Sequence, residues 1–490
     1  METSTLWLPF VAVWQFVLGS PTEGLNPPLS SMPSLCVPVS LPHSLLYHDT
    51  PYWYMAQITL TEPIALRLEA DDGAQVFFQG VRYPLEGYVC PLNPTGSYPI
   101  TGELVVRVLN KAMYGGLLGV EWKPLTQWRK ETAPPPHDTE LKLLVPPLLQ
   151  QPNASSIKIV WETNLPCASV LEWGVAGEEF ASLVPEKNET LFTAHLTKLI
   201  PNSRYAYRVR YGGCVTDVSC FSALSVEGNC SFTVWADSQN VQKRLPKLCS
   251  TLNAKPSHFT VGVGDLVVDA YEKEQWVSFF QAMASTFSQT PVVLMGGNHD
   301  YDGCFETMRS PFLERYTCGN LYGAWSVGGA RFVFLDPNLH FPTAIPEGSA
   351  QYGWFLRELV SEEWRSAQWR FVFIHQPPYS QGWKGYEGDI PIRELLEPRI
   401  ETCGIDFVVS GHTHNYERWI RNYGKQRVHF LVVGGAGGGL EPEGELSDYP
   451  VMDRVIRRHH VGQFWVQEDR VDFEARTFEG EILDYFQVTK

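Results

Sequence analysis

The run "SGHTHNYERW", Ser410 to Trp419, places two imidazoles one residue apart, His412 and His414, directly behind a glycine. The apolar residues ahead of them, "IDFVVS" from Ile405 to Ser410, have the length and composition of a buried strand. Residues i and i+2 of extended chain point the same way, so two histidines just past a strand end can reach one point in space. Imidazoles converging at the carboxyl end of a strand suit a metal ion. The competing reading is a pair of polar loop histidines. With 40 glycines and 13 histidines in 490 residues, a Gly-His-x-His run arises by chance in roughly a few per cent of such chains. The rest of the chain has to decide.

From Asn229 onward, apolar strands of four to six residues alternate with helix-like stretches. The strands are "SFTVWADSQ", "HFTVGVGD", "PVVLMGGNHD", "RFVFLDPN", "RFVFIHQPP", "DFVVSGHTH" and "HFLVVGGAGG"; "EKEQWVSFFQAMASTF" and "AQYGWFLRELVSEEW" are amphipathic. This alternation predicts an α/β domain with both sheet faces covered. In open α/β sheets ligands bind off the carboxyl ends of strands. Asp237, Asp265, Asn298, His299, His375, His412 and His414 all fall at such ends. Mixed oxygen and nitrogen donors of this kind suit Zn, Fe or Mn rather than Ca. They are too many for one ion, and enough for two if one carboxylate bridges.

The ordered blocks "D-x-Q … GD … GNHD … H … GHTH" resemble the calcineurin-like metallophosphoesterases. "GGNHD", "HQPPYS" and "GHTHNYER" look most like the purple-acid-phosphatase branch. The resemblance implies two divalent or trivalent ions (Fe, Zn or Mn). It implies Asp237 and His414 on the first ion, Asp265 bridging, and Asn298, His375 and His412 on the second. His299 would not ligate but act as general acid, so that His299 and Asp265 form the catalytic pair. The implied activity is hydrolysis of phosphate monoesters, on small molecules or phosphoproteins, by attack of a metal-activated hydroxide. Phosphodiester hydrolysis by the same site is the first alternative; a diester carries one less negative charge, and no obvious arginine cluster argues strongly for monoesters. A carbohydrate-binding or adhesive protein with an inactive phosphatase domain is the second.

The chain departs from the family pattern in places. Val268 stands where purple enzymes carry the tyrosine that gives their colour, and Tyr271 is out of register, so a colourless enzyme is expected. Gln239 stands where related phosphodiesterases carry a histidine ligand; it is a possible metal or water-orienting residue. Gln376 follows His375 where many relatives have a second histidine. The loop "SQGWKGYEGD" (Ser380 to Asp389) is expected to rim the pocket, with Trp383 and Tyr386 either stacking on substrate or simply packing. "GGAGGGLE" (Gly434 to Glu441) lacks the "GK[ST]" ending of a phosphate-binding Walker loop and reads as a flexible turn near the metals. Asp336 ends a strand and is expected to cap or support rather than ligate.

Upstream, "IALRLEADDGAQVFFQGVRYPL" (Ile64 to Leu85) and "GELVVRVLNKAMYGGLLGVEW" (Gly102 to Trp122) are strand–turn–strand units. Residues 26–130 resemble a jelly-roll module of the carbohydrate-binding type, which would allow glycan partners. "TQWRKETAPPPHD" (Thr126 to Asp138) is a linker by composition. Residues 138–225 resemble a fibronectin type III module, most clearly at Leu196 to Val209, where Tyr205 and Tyr207 share a face. The expected architecture is therefore two all-β sandwiches followed by an αββα metallophosphoesterase domain over 229–490, closed by an antiparallel meander.

A net charge of −16 argues against nucleic acid as a partner. The apolar stretch Leu6 to Leu18 is too short to span a bilayer and sits where a signal peptide would, over residues 1–20. With ten cysteines and no C-x-x-C pair, disulfides in an oxidising compartment are expected. The sequence thus points to a secreted or extracytoplasmic glycoprotein, with acceptor sequons at Asn153, Asn188 and Asn229 and no membrane span.

Overall fold

In a computed structural model of the chain, the apolar runs of the second half pair into two sheets packed face to face. The structure describes residues 6–19, 29, 32, 35–46, 50–70, 73–110, 114–132, 139–188, 190–270, 272–301, 311–317, 319, 321–340, 343–442, 446 and 448–490. In one sheet, Cys230–Trp235, Phe259–Gly262 and Val292–Leu294 run parallel. The expected meander His460–Val466, Arg470–Thr477, Ile482–Thr489 continues it antiparallel. The other sheet holds seven strands, with Ala330–Leu335, Trp369–Ile374, Phe407–Ser410 and Gln426–Val433 parallel at its centre.

The strands read as nearly unbroken apolar runs because both faces are buried. Between the sheets lie Phe232, Phe259, Phe332, Phe371, Phe407 and Phe464, all fully buried. Phe232 and Phe464 stack at 4.6 Å, as do Phe371 and Phe407. Helices Leu245–Ala254 and Lys273–Ala282 cover one outer face, and Ala350–Glu358 and Ile390–Cys403 the other. The last of these starts on Asp389, whose carboxylate accepts from the Ile392 amide at 3.1 Å, and stops at Gly404 in the left-handed region (φ 70°). The architecture is an αββα sandwich.

Ahead of it stand two β-sandwiches. In the second, Leu143–Gln150, Ser156–Thr163 and Leu191–Thr197 face Ser169–Val175 and Arg204–Tyr211 across a core holding Trp161, Leu171, Tyr205 and Tyr207. Its first sheet does not end at the module boundary. Gln150 pairs with Val292 in parallel register, so module and αββα domain share one ten-stranded sheet. Glu162, fully buried, reinforces the junction: its carboxylate receives Lys273 Nζ at 2.6 Å, Arg315 at 3.0 Å and the Tyr316 hydroxyl at 2.8 Å.

The structure adds local detail to three expectations. The first sandwich begins at Leu8, not at residue 26: Trp14–Leu18 pairs with Thr50–Leu60, and Trp14 (2% exposed) and Phe16 (6%) lie in its core. The stretch expected as a signal peptide includes the strand Trp14–Leu18. The expected linker opens with the helix Leu125–Glu131, which buries Trp128, while residues 133–138 lie outside the described set. Cys36, Cys167, Cys214, Cys220, Cys230, Cys249 and Cys403 are free thiols, and Cys304 and Cys318 lie outside the described residues. Asn153 and Asn229 are exposed. No helix among the described residues is long and apolar enough to cross a membrane.

Candidate metal centre

The carboxyl ends of the central strands bring Asp237, Asp265, Asn298, His375, His412 and His414 together. Asp265, His375 and His412 offer ligand atoms within 4.8 Å of one another, and so do Asp237, Asp265 and His414. Asp265 belongs to both groups. Asp237, Asp265, Asn298, His375 and His412 are buried. Asn298 Oδ1 lies 3.0 Å from His412 Nδ1 at the edge of the first group.

Backbone strain is concentrated here. Asp237 (φ 61°), Gln239 (45°), Asp265 (53°) and His412 (71°) all occupy the left-handed region. Non-glycine residues persist there only when the surroundings over-determine them, at roughly 1–3 kcal/mol each. The surroundings are on hand. The His412 amide donates to Asp237 Oδ2 at 2.9 Å, and the His299 amide to Asp265 Oδ1 at 2.9 Å.

Second contacts fix the imidazoles. His375 Nδ1 lies 2.7 Å from the Val263 carbonyl, and His414 Nδ1 2.5 Å from that of Gly439. A carbonyl only accepts, so both Nδ1 atoms carry the proton and both Nε2 atoms are left as donors to a cation. His375 Nε2 stands 3.3 Å from Asp265 Oδ1 and 4.0 Å from Asp237 Oδ1; His414 Nε2 stands 3.6 Å from Asp237 Oδ1. Asp237 Oδ1 and His375 Nε2 are buried without a hydrogen-bond partner. Two buried polar atoms facing one space, with no hydrogen-bond partner among the described residues, fit a cation between them.

Burial pushes the Asp237 carboxyl well up. Burial pushes Asp265 the same way, but the charges of His375 and His299 outweigh it and its net shift is downward. Burial, aided by the charge of His375, holds His412 well below the usual imidazole range. A neutral imidazole is the form that ligates.

The remaining predicted residues separate by role. His299 sits half-exposed at the rim with Nδ1 3.0 Å from the Val268 carbonyl, so its Nε2 is the nitrogen that exchanges a proton. Val268, at the absent tyrosine's position, is 45% exposed and contributes that carbonyl. Gln239 Nε2 lies 3.4 Å from His414 Nε2, within reach of the same space. Gln376 pairs with Asn338 (2.7 and 3.2 Å) behind Asn298, and Asp336 caps the turn that carries Asn338. Trp383 and Tyr386 pack on the His412 ring with centroids 5.6 and 5.5 Å away. Tyr386 is only 4% exposed, so it props His412; Trp383 is half-buried at the rim. Most of the segment Gly434–Glu441 is packed: Gly434 to Gly438 are buried and Gly439 is exposed. A Cβ on Gly434 would meet the Thr413 carbonyl at 2.0 Å, and one on Gly438 would meet His414 Cε1 at 2.7 Å.

Three supporting carboxylates were not assigned from sequence. Asp300 accepts from the amides of Gly297 (2.9 Å) and Leu266 (3.0 Å), tying the two ligand loops together. Glu417, buried, accepts from the Ser380 hydroxyl and the Gln381 and Gly382 amides, holding the loop that carries Trp383. Glu441 accepts from the His414 amide. Asp300 and Glu417 stand inside the quoted "GGNHD" and "GHTHNYER", which was the available signal.

The αββα sandwich thus carries, at its strand ends, two potential ligand groups that share one carboxylate. Residues 231–416 match the family model of the calcineurin-like phosphoesterases, a family that uses a dinuclear metal centre. Similar curated proteins include purple acid phosphatase 18 (30% identical over 194 residues) and purple acid phosphatase 22 (27% over 195), both from Arabidopsis thaliana. In each case the match covers 36% of this chain and 43% of the relative, so the chain aligns with less than half of their length. A probable inactive purple acid phosphatase 1 from the same plant is 22% identical over 410 residues, covering 66% of this chain and 64% of its own. Among solved structures, the purple acid phosphatase PPD1 from yellow lupin seeds is similar in fold at TM-score 0.60 and 14% identity, covering 90% of this chain and 92% of its own.

Proposed function

We propose that the chain is a metal-dependent phosphoric ester hydrolase acting on phosphate monoesters. The observation that carries this reading is Asp265, one buried carboxylate common to two ligand groups. Asp237 and His414 would hold one cation, Asn298, His375 and His412 the other, with Asp265 between them and Gln239 beside the first. Bound there, two cations acidify water and neutralise charge at the phosphoryl group. The protein's own share is positional. The Val263 and Gly439 carbonyls orient two imidazoles. Asp300 locks the Asp265 and Asn298 loops together. His299 Nε2 at the rim can give a proton to the departing alkoxide or phenoxide oxygen. No serine or cysteine nucleophile is needed, so a single displacement is expected.

The test measures metal content together with phosphate release from aryl monoesters and aryl diesters, with Asp265→Ala alongside. Two equivalents of Fe, Zn or Mn, a higher kcat/KM on the monoester, and joint loss of metal and activity in the variant are expected. Retained activity in Asp265→Ala contradicts the shared-ligand role; preference for the diester transfers the reading to a phosphodiesterase; metal without turnover of either assigns the chain to an inactive relative.

A further inference from the structure

Away from the metal centre, a cavity of about 500 Å³ lies where the second sandwich joins the αββα domain. That volume is in the range of small-molecule sites. Its origin is topological. The ten-stranded sheet continues into the module, whereas the seven-stranded sheet stops at Gly323–Val327, leaving a gap where the two sheets part.

The walls differ in chemistry. The αββα domain contributes Val293, Trp325 and Phe334, apolar residues at the margin of the inter-sheet core. The module contributes Gln150, Lys158 and His195. These three are direct cross-strand partners, Gln150 with Lys158 and Lys158 with His195, so they form one polar row on one face of the sheet. Gln150 is 2% exposed, and its Nε2 is buried without a hydrogen-bond partner. An amide donor buried in this way lacks an acceptor among the described residues. Lys158 beside it adds positive charge, in a chain whose net charge is −16.

We propose that this cavity binds a small organic anion: an apolar body against Trp325, Phe334 and Val293, and one anionic head accepting from Gln150 Nε2 beside Lys158. A carboxylate, sulfonate or phosphate head meets the same demand. The site is separate from the metal centre, although Val292–Leu294 in its wall leads on to Asn298.

The test titrates the full chain with 8-anilinonaphthalene-1-sulfonate, followed by fluorescence, and then competes the probe with dodecanoate. One saturable site per chain, displaced by dodecanoate, is expected. Lys158→Glu should weaken binding about tenfold or more, Gln150→Leu should weaken it too, and Ser156→Trp, which fills the cavity, should abolish it. Phosphate release by these variants should be unchanged, and Asp265→Ala should bind the probe as the unaltered chain does. Non-saturable binding, or unchanged affinity in the three cavity variants, overturns the proposal. So does displacement by inorganic phosphate together with loss of binding in Asp265→Ala, which would place the probe at the metal centre.

Discussion

Gly297→Ala is the sharpest test of the metal centre, because it adds one methyl and removes no donor. A Cβ at this position would lie 2.2 Å from Asp265 Oδ1, 2.4 Å from the Asp265 amide nitrogen and 2.8 Å from His375 Cε1. Carbon and oxygen settle at roughly 3.3 Å, so carboxylate or backbone must give way by about 1 Å. None of the three neighbours is a free side-chain end. Asp265 is held by the His299 amide at 2.9 Å, and His375 by the Val263 carbonyl at 2.7 Å. Because Asp265 serves both ligand groups, one displacement disturbs both. A misplacement of about 1 Å costs on the order of 10²-fold in turnover, and poorer ligand orientation costs roughly 10–100-fold in metal affinity. The assay is metal content by mass spectrometry after dialysis, with kcat/KM on p-nitrophenyl phosphate. Gly439→Ala is the control: its added Cβ would meet nothing within 4 Å, and it should behave as the unaltered chain. Full metal content and kcat/KM within about threefold for Gly297→Ala would refute the close-packing argument.

His299→Ala should lower kcat by about 10²–10⁴-fold on alkyl phosphates and much less on p-nitrophenyl phosphate, whose leaving group needs no proton; metal content should not change, and an equal loss on both substrates would count against proton donation. Burial pushes the Asp389 carboxyl up to about 7. An acid whose folded pKa is raised is favoured neutral in the fold, so this stability is fully present below about pH 4 and is lost as pH climbs to 7. Asp389→Asn keeps the helix cap without that loss and should be the more stable form at pH 8, by at most about 4 kcal/mol; urea midpoints at pH 5 and pH 8 decide, and parallel pH curves for the two proteins would contradict it. Glu162→Gln removes the charge that Lys273 and Arg315 face across the module junction. A loss of about 2–3 kcal/mol in urea unfolding is expected, and a change below about 0.5 kcal/mol would show that the triad adds no net stability.

What the sequence discloses follows from where the physical signal resides. Asp237, Asp265, Asn298, His375, His412 and His414 are readable because each follows an apolar strand, and strand ends on one edge of a sheet converge. The carbonyls of Val263, Val268 and Gly439 that set the histidine protons carry no side-chain signature, since any residue supplies a carbonyl. Asp300 and Glu417 stand in plain view, but an acid that accepts from backbone amides is spelled like one that binds a cation. The pairing of Gln150 with Val292 joins residues 142 positions apart, and no local pattern announces it. Trp14 and Phe16 illustrate a different limit. Thirteen apolar-rich residues near the start of a chain satisfy both a leader and a sandwich strand, and no local pattern announces their pairing with Thr50–Leu60.

The shared ten-stranded sheet also bears on how the chain could be divided. A cut near residue 228 would not release an independent catalytic unit. It would remove the Gln150 partner of Val292 and leave that edge of the strand open, a few residues upstream of the Gly296–Asp300 loop. The small module is thus less a passenger than a selvedge, the woven border that keeps the rest of the cloth from fraying.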